Sequence, residues 1–173
     1  MTRRPNQLRG FTLIELILVL IIISIMLAMA SPTLRGWGQG QKLRNSIDSF
    51  IAATGYARSQ AVTQARPHAV EIDSTANTYL VQSIETGGVR KPVPGDFGVA
   101  NTLPEGYTIR LVSGGSTGSA TDGASAVNAA SVIFYPDARA TPAVVEIKAA
   151  NGEIALIECQ NPAEPFKRAD VKP

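Results

Sequence analysis

The feature that most constrains this 173-residue chain is an apolar segment that contains a single carboxylate. Residues 11–30 include one charged side chain, that of Glu15. As a helix with about 1.5 Å of rise per residue, this segment would span roughly 30 Å, the thickness of the hydrocarbon core of a bilayer. Residues 11–30 are therefore predicted to form a transmembrane helix. Because a carboxylate is costly in lipid, Glu15 is predicted to have a function there.

A short basic stretch, residues 1–10, precedes the apolar segment. Its charged side chains are Arg3, Arg4 and Arg9. Basic residues beside a membrane helix are retained in the cytoplasm, so residues 1–10 are predicted to stay inside and the rest of the chain to be exported. Two simpler interpretations of residues 1–30 fit the sequence less well. A secretory signal peptide normally has a shorter apolar core of about 7–15 residues, and a plain signal anchor with Glu15 at the interface leaves the carboxylate unexplained.

The exported part of the chain is close to neutral and shows no catalytic motif. Three of the 16 basic residues lie in residues 1–10, so the remainder has 13 basic and 14 acidic residues. With His68 as its one histidine and Cys159 as its one cysteine, the chain can form neither an intrachain disulfide nor a zinc site of the usual ligands. No cofactor, metal or small-molecule substrate is predicted, and the chain is predicted not to be an enzyme. The Cys159 thiol is expected to be a small buried group on a strand.

The helical pattern continues through residues 31–66. From residue 41 it is amphipathic, because apolar and small residues recur at helical spacing. The predicted buried face consists of Leu43, Ile47, Phe50, Ile51, Thr54, Ala57 and Ala61. Pro67 is predicted to end the helix. Such a face needs a partner surface, which the strands that follow are expected to supply.

Residues 67–160 show the alternation of a β domain. The predicted strands are 69–73, 79–84, 107–111, 131–135, 144–149 and 154–159. The last two flank Asn151 and Gly152, a pair typical of a tight primed hairpin turn because both residues tolerate positive φ. Residues 86–102 and 113–130 are predicted to be loops, and the polar residues 161–173 a poorly ordered tail.

The start of the apolar segment resembles the prepilin leader of type IV pilins and type II secretion pseudopilins. Gly10, Phe11 and Glu15 are similar to that leader position by position. The resemblance implies that a prepilin peptidase cuts between Gly10 and Phe11 and that the new amino terminus is methylated. It also implies that Glu15 neutralises this amine on a neighbouring subunit, since charges removed from water are tolerable when they are paired.

A second resemblance is to the GspH/FimT group of minor pseudopilins and pilins. It rests on residues 56–62, Tyr-Ala-Arg-Ser-Gln-Ala-Val, and on residues 132–139, Val-Ile-Phe-Tyr-Pro-Asp-Ala-Arg. The group usually has glycine where Ala138 stands. The implied fold is α+β and pilin-like, with a long N-terminal helix packed on a C-terminal antiparallel β-sandwich.

The function that this resemblance implies is that of a structural subunit. The chain would be a minor pseudopilin of a type II secretion system, assembled into a pseudopilus through its hydrophobic N-terminal helix. It would be anchored in the inner membrane by a single span, with its C-terminal domain in the periplasm. Its partners would be the prepilin peptidase and other pseudopilins.

Two alternative functions stay open. One is a minor pilin of a type IV pilus, with a role in pilus assembly or DNA uptake. DNA-binding members of the group resemble one another in a Gly-Arg-x-Arg motif, but residues 152–155 are Gly-Glu-Ile-Ala here, and Lys167, Arg168 and Lys172 are a weak substitute. So few phosphate contacts do not favour nucleic acid as a partner. The other alternative is a membrane-anchored periplasmic domain that forms no polymer.

Overall fold

A computed structural model of the chain describes residues 11–115 and 129–169, with side chains except those of 28–39 and 129. The chain divides into two compact units, of which the first ends at Gly38 and the second begins at Gln39. The described elements are helix α1 (Leu13–Thr63) and strands β1 (His68–Asp73), β2 (Thr78–Ile84), β3 (Arg90–Pro92), β4 (Asn101–Thr102), β5 (Thr108–Gly114), β6 (Ala129–Phe134), β7 (Ala143–Lys148), β8 (Ile154–Cys159) and β9 (Lys167–Arg168), with a short 3-10 helix (Asp96–Gly98) between β3 and β4.

The first unit contains the apolar part of α1. Within the part of the chain that the structure describes, no helix is both long and apolar enough to cross a membrane. The predicted transmembrane segment is 11–30, and the side chains of its last three residues, 28–30, lie outside the described part. The predicted leader, residues 1–10, also lies outside it. Both segments remain predictions of the sequence.

The second unit is built on two antiparallel sheets. One has the strand order β3-β2-β1-β6, with β4 also paired to β2, and the other has the order β5-β7-β8-β9. Because successive side chains of a strand point to opposite faces, alternate residues of the central strands enter a common core. The largest of these core side chains from the strands are Val70, Ile72, Tyr79, Val81, Ile109, Val132, Phe134, Val145, Ile147 and Ile157.

The amphipathic part of α1 completes this core. Its buried face consists of Leu43, Ile47, Phe50, Ala53, Thr54, Ala57 and Ala61. The rings of Phe50 and Tyr79 meet edge to face with their centroids 5.2 Å apart, a favoured aromatic geometry. The Thr54 hydroxyl donates to the Ile51 carbonyl at 2.7 Å, so its burial leaves it hydrogen-bonded. The predicted face differs at two positions, because Ile51 is only half-buried and Ala53 is buried as well.

Helix α1 ends at Thr63 and not at residue 66 as predicted. Ala65 takes a positive φ of 50°, and the N–H of Arg66 donates to the carbonyl of Ala61 at 3.3 Å. A left-handed residue followed by this long backward hydrogen bond closes the helix and satisfies a carbonyl at its end. Pro67 follows the closing turn and leads into β1.

Two segments that were predicted to lack strands contribute them. The predicted loop 86–102 contains β3, the 3-10 helix and β4, and both strands pair with β2. The prediction of a poorly ordered tail is wrong as far as residue 169, because Phe166 is only 3% exposed and β9 pairs with β8. Of the predicted loop 113–130, residues 116–128 lie outside the described residues.

The predicted hairpin between β7 and β8 is present, but its turn is of another type. The N–H of Ala149 donates to the carbonyl of Glu153 at 2.8 Å, which closes a loop of three residues. Gly152 has a φ of 87°, whereas Asn151 is not among the residues with positive φ. A left-handed glycine in the third loop position is the usual solution for a three-residue hairpin, in place of the two-residue primed turn that was predicted.

The loop after β6 closes in the same way with an alanine. The N–H of Tyr135 donates to the carbonyl of Arg139 at 2.8 Å, and the N–H of Ala138 donates to the carbonyl of Tyr135 at 3.0 Å. Ala138 takes a φ of 64°, a conformation that is costly for a residue with a β-carbon. The alanine at the position where glycine is usual therefore leaves the turn in place.

Candidate assembly site

The apolar segment begins with a helix cap. Helix α1 starts at Leu13, and the N–H of Glu15 lies 3.1 Å from the carbonyl oxygen of Thr12 and 3.4 Å from its Oγ1. A threonine followed three residues later by a glutamate is the capping-box pattern, which satisfies N–H groups at the start of a helix. The helix dipole also favours a negative charge at this end. The local sequence thus places the Glu15 carboxylate in the first turn of α1.

Apolar side chains cover the rest of this segment on every side. Each large apolar side chain from Phe11 to Leu27 is between 44% and 81% exposed. A helix that is apolar all round is normally covered by lipid or by other protein, and a continuous apolar surface of this extent indicates an interaction site. Since none of the described residues covers it, we expect lipid or a second chain to do so.

Two polar residues of this segment, Ser24 and Glu15, differ in whether their side chains have a partner within the chain. The Ser24 hydroxyl donates to the Leu20 carbonyl at 2.7 Å, the bond through which a serine is accommodated in an apolar helix. The Glu15 carboxylate has no hydrogen bond or ion pair with another described residue. Its charge is therefore not compensated by any residue in the part of the chain that the structure describes.

The structure places two of the three predicted site residues at one end of α1. Phe11 is 81% exposed and precedes the first turn, while Glu15 lies within that turn. Gly10 lies outside the described residues. A cut between Gly10 and Phe11 would therefore create an amine just before the first turn of α1, the turn that also carries the Glu15 carboxylate.

The residues considered for nucleic-acid binding do not form a basic surface where the structure describes them. Glu153 is exposed in the loop between β7 and β8, at the place of the basic motif. Nζ of Lys167 lies 3.3 Å from Oε2 of Glu164, so this cation is paired with a carboxylate. Arg168 is exposed on β9, and Lys172 lies outside the described residues. Binding to phosphates depends on several cations acting together, which these positions do not supply.

His68 and Cys159 are both buried in the core of the second unit. His68 begins β1 at the expected helix-to-strand junction, and its Nδ1 lies 3.1 Å from the carbonyl oxygen of Arg66. Its Nε2 has no partner among the described residues, and burial lowers the pKa of His68 below its ordinary value. Cys159 lies on β8 as predicted, and burial raises the pKa of its thiol. In the described ranges, no group of three or more His, Cys, Asp or Glu residues is placed to hold a metal ion.

Arg58 has a role that the sequence did not predict. It lies in the segment that resembles the GspH/FimT group, and its guanidinium donates to three successive backbone carbonyls. The acceptors are Ala163 at 3.1 Å, Pro162 at 3.5 Å, and Glu164. No sequence pattern indicates this contact, because the acceptors are backbone atoms 104 to 106 residues further along the chain.

Two family models match the chain, one in each unit. Residues 6–31 match the model of the prokaryotic N-terminal methylation motif, which places the chain in the class of proteins that carry this motif. Residues 46–160, well over half of the chain, match the model of the type II transport protein GspH. The chain belongs to the GspH family.

Individual relatives agree with this assignment. The type II secretion system protein H of Xanthomonas campestris pv. campestris is 34% identical over 68 residues. This match covers 39% of the present chain, which thus spans only 40% of the length of that curated relative. Two structures of the minor pseudopilin EpsH from the type 2 secretion system of Vibrio cholerae superpose on the chain with TM-scores of 0.55 and 0.58. They are 15% and 16% identical to it, and the matches cover 73% and 74% of this chain and 94% and 93% of theirs.

At such low identity the likeness to EpsH shows the fold. The predicted α+β fold, with a long helix on two antiparallel sheets, is confirmed by it. The predicted family is confirmed by the family model. The predicted function, a minor pseudopilin, agrees with the names of these relatives.

Proposed function

We propose that this chain is a minor pseudopilin, a structural subunit that assembles into a type II secretion pseudopilus through its apolar N-terminal helix. The observation that carries the proposal is the exposure of every large apolar side chain from Phe11 to Leu27, while the second unit has a buried core of its own. The exposed surface needs a cover from outside the chain. Neighbouring subunits supply it in the filament, and lipid supplies it before assembly.

The leader, residues 1–10, is removed between Gly10 and Phe11 by a prepilin peptidase, and Phe11 is then methylated. Support comes from the match of residues 6–31 to the methylation-motif model and from the exposed position of Phe11 ahead of the helix. The chain is a substrate of processing enzymes in this proposal and not itself a catalyst. The basic leader holds the N terminus in the cytoplasm, so the inner membrane is crossed once and the second unit folds in the periplasm.

Within the filament, Glu15 pairs with the methylated amine of Phe11 on a neighbouring subunit. The carboxylate lies in the first helical turn among exposed apolar side chains, and it has no partner among the described residues. Once lipid or protein covers this surface, an unpaired charge there would be strongly unfavourable, whereas a paired one is tolerated. The same pairing would set the register of one subunit against the next.

Mass spectrometry of the protein extracted from membranes tests the processing. We expect a mature chain that begins at Phe11 and carries one methyl group on its amine. An intact Met1 in cells with an active prepilin peptidase would contradict the proposal. So would a mature chain that begins at Ser31, because a secretory signal peptidase would produce it.

A DNA-binding minor pilin is the competing function, and the charges argue against it. Glu153 stands at the place of the basic motif, and Lys167 is paired with Glu164. Any binding to duplex DNA should therefore be weak and lost at physiological salt. A mobility-shift titration of the detergent-solubilised chain at several salt concentrations measures this. Tight binding that survives at physiological salt would favour the DNA-uptake function instead.

A further inference from the structure

The C-terminal residues 161–168, here called the strap, contact the rest of the second unit through one buried apolar side chain and several hydrogen bonds. Phe166 is 3% exposed and packs on Phe134, with the two ring centroids 6.0 Å apart. Most other strap residues are exposed. Beside the anchor lies a small cleft of about 80 Å³, lined by Thr54, Gly55, Arg58, Phe134 and Pro165 among others. The strap therefore covers the core through a single large side chain.

Arg58 latches the strap from helix α1. Its guanidinium donates to the carbonyls of Pro162, Ala163 and Glu164. A planar guanidinium has five donors in a fixed fork, so it can bind several acceptors that a lysine could not reach together. Arg58 forms no ion pair within the described part of the chain, which leaves its donors to the strap.

The strap accepts hydrogen bonds from the Cys159 thiol. Sγ of Cys159 donates to the carbonyls of Asn161 and Glu164 at 3.2 and 3.3 Å, and the residue is 2% exposed. The Glu164 carbonyl thus accepts from both Cys159 and Arg58. If the strap moved away, the thiol would lose both of these acceptors.

The pairing of β8 with β7 does not depend on the strap. Strand β8 pairs with β7 over six residues but with β9 over only two. Departure of the strap would leave the strand order β5-β7-β8, and it would break the hydrogen bond from the Ala140 N–H to the Pro162 carbonyl at 2.8 Å and withdraw Phe166 from the core. Segments with few buried apolar contacts and short pairing are those that open locally, below the free energy of global unfolding.

We propose that the strap is a lid latched by Arg58, which opens as a unit and uncovers Cys159 and the edge of β8 while the two sheets stay folded. The strap lies within the unit Gln39–Pro173, so this device does not depend on how the apolar segment assembles. Opening would give the globular unit a second conformation, with a free strand edge and an accessible thiol.

The rate at which a small neutral maleimide labels Cys159 in the detergent-solubilised full chain measures the opening. The chain has one cysteine, so the label reports on this site alone. We expect Arg58→Ala to accelerate labelling roughly tenfold or more, because hydrogen bonds to a charged group are lost. Arg58→Lys should give an intermediate rate. Arg110→Ala removes an exposed arginine whose partner is the Glu146 carboxylate, and it should label at the wild-type rate.

The urea dependence of labelling in the wild-type chain decides the question even if Arg58→Ala fails to fold. Local opening exposes little surface, so the labelling rate at low urea should change little with urea, while global unfolding would give a steep dependence. A wild-type labelling rate that follows global unfolding at every urea concentration would overturn the proposal. An unchanged rate in a folded Arg58→Ala variant would overturn it as well.

Discussion

Two parts of helix α1 differ both in sequence pattern and in exposure to solvent. Residues 13–27 expose all of their large apolar side chains, whereas residues 41–63 bury one face against the sheets and leave the other in water. The second part is amphipathic because its own chain supplies the partner surface. The first part is apolar on every side, and no described residue of the chain packs against it. Residues 41–63 therefore stabilise the second unit, whereas residues 13–27 leave their apolar side chains available to lipid or another chain.

The polar side chains in the two parts of α1 can be compared by their hydrogen bonds. In the packed part, the buried Thr54 donates to the Ile51 carbonyl at 2.7 Å, and in the exposed part Ser24 donates to the Leu20 carbonyl at the same distance. Both hydroxyls are thus satisfied within the helix. The Glu15 carboxylate is different, since it has no partner among the described residues. A polar group that the fold leaves unmatched in a surface meant to be covered is a candidate for recognition.

The largest effect is expected for Glu15→Ala. Insertion and leader cleavage should be normal, because the change makes the segment more apolar and leaves Gly10 and Phe11 intact. Incorporation into the filament should be lost, since each contact would leave a buried amine unpaired at a cost of about 3–5 kcal/mol. Complementation of a deletion strain, with cleavage followed on the same blot, measures both outcomes.

Ser24→Ala is the matched control for Glu15→Ala. It also removes a polar group from the exposed segment, but one that is already satisfied within the helix, so assembly and secretion should be retained. Full secretion with Glu15→Ala would contradict the pairing role. It would reduce Glu15 to a capping residue of the first helical turn.

The next largest effect is expected in the packed part of the helix. Phe50→Ala empties a fully buried site beside Tyr79 and should lower the free energy of unfolding by about 3–5 kcal/mol. Leu18→Ala, at a site that is 57% exposed, should change it by less than about 0.5 kcal/mol. Chemical unfolding of the full chain in mild detergent, followed by near-UV circular dichroism of the buried tyrosines, compares them. A comparable loss from both variants would show that the exposed segment is part of the folding unit.

The sequence predicts those parts of the fold that depend on local periodicity. The buried face from Leu43 to Ala61 and the six longer strands follow from helical spacing and alternation. Strands β3, β4 and β9 were missed because each has only two or three residues, too few to show alternation. Their pairing is imposed by the edges of β2 and β8. A strand this short forms because a neighbouring strand offers an edge to pair with, and its own sequence carries little signal of it.

The functional residues likewise differ in how far the sequence predicts them. Gly10, Phe11 and Glu15 are recognisable because the whole pattern lies within six consecutive residues. The contact of Arg58 with the strap joins residues more than 100 positions apart, and its acceptors are backbone carbonyls that any residue carries. When a side chain binds backbone carbonyls, the residue types at the acceptor positions therefore give no sequence signal of the contact.

A smaller effect, confined to the second unit, is expected from pH. Burial lowers the pKa of His68 in the folded state, so the unfolded chain binds the proton more readily. The stability that a neutral His68 provides is fully present above its ordinary pKa of about 6.5 and is lost as the pH falls below it toward the lowered folded value. Thermal midpoints of the wild type and His68→Gln from about pH 8 to about pH 5 measure this. Parallel curves for the two proteins would show that His68 does not contribute.

The smallest effect is expected in the two three-residue loops, which have different residues, alanine and glycine, at the same left-handed position. Gly152 has a φ of 87° and open space where a β-carbon would lie, so Gly152→Ala should cost about 1 kcal/mol from backbone strain alone. Ala138, with a φ of 64°, already bears this strain, and Ala138→Gly should raise the free energy of unfolding by up to about 1 kcal/mol. Urea unfolding of both variants measures the opposite signs. Because neither residue belongs to the exposed apolar segment, leader cleavage and filament incorporation should be unchanged in both. A loss of stability in Ala138→Gly would show that the flexibility glycine adds to the unfolded chain outweighs the relief of strain.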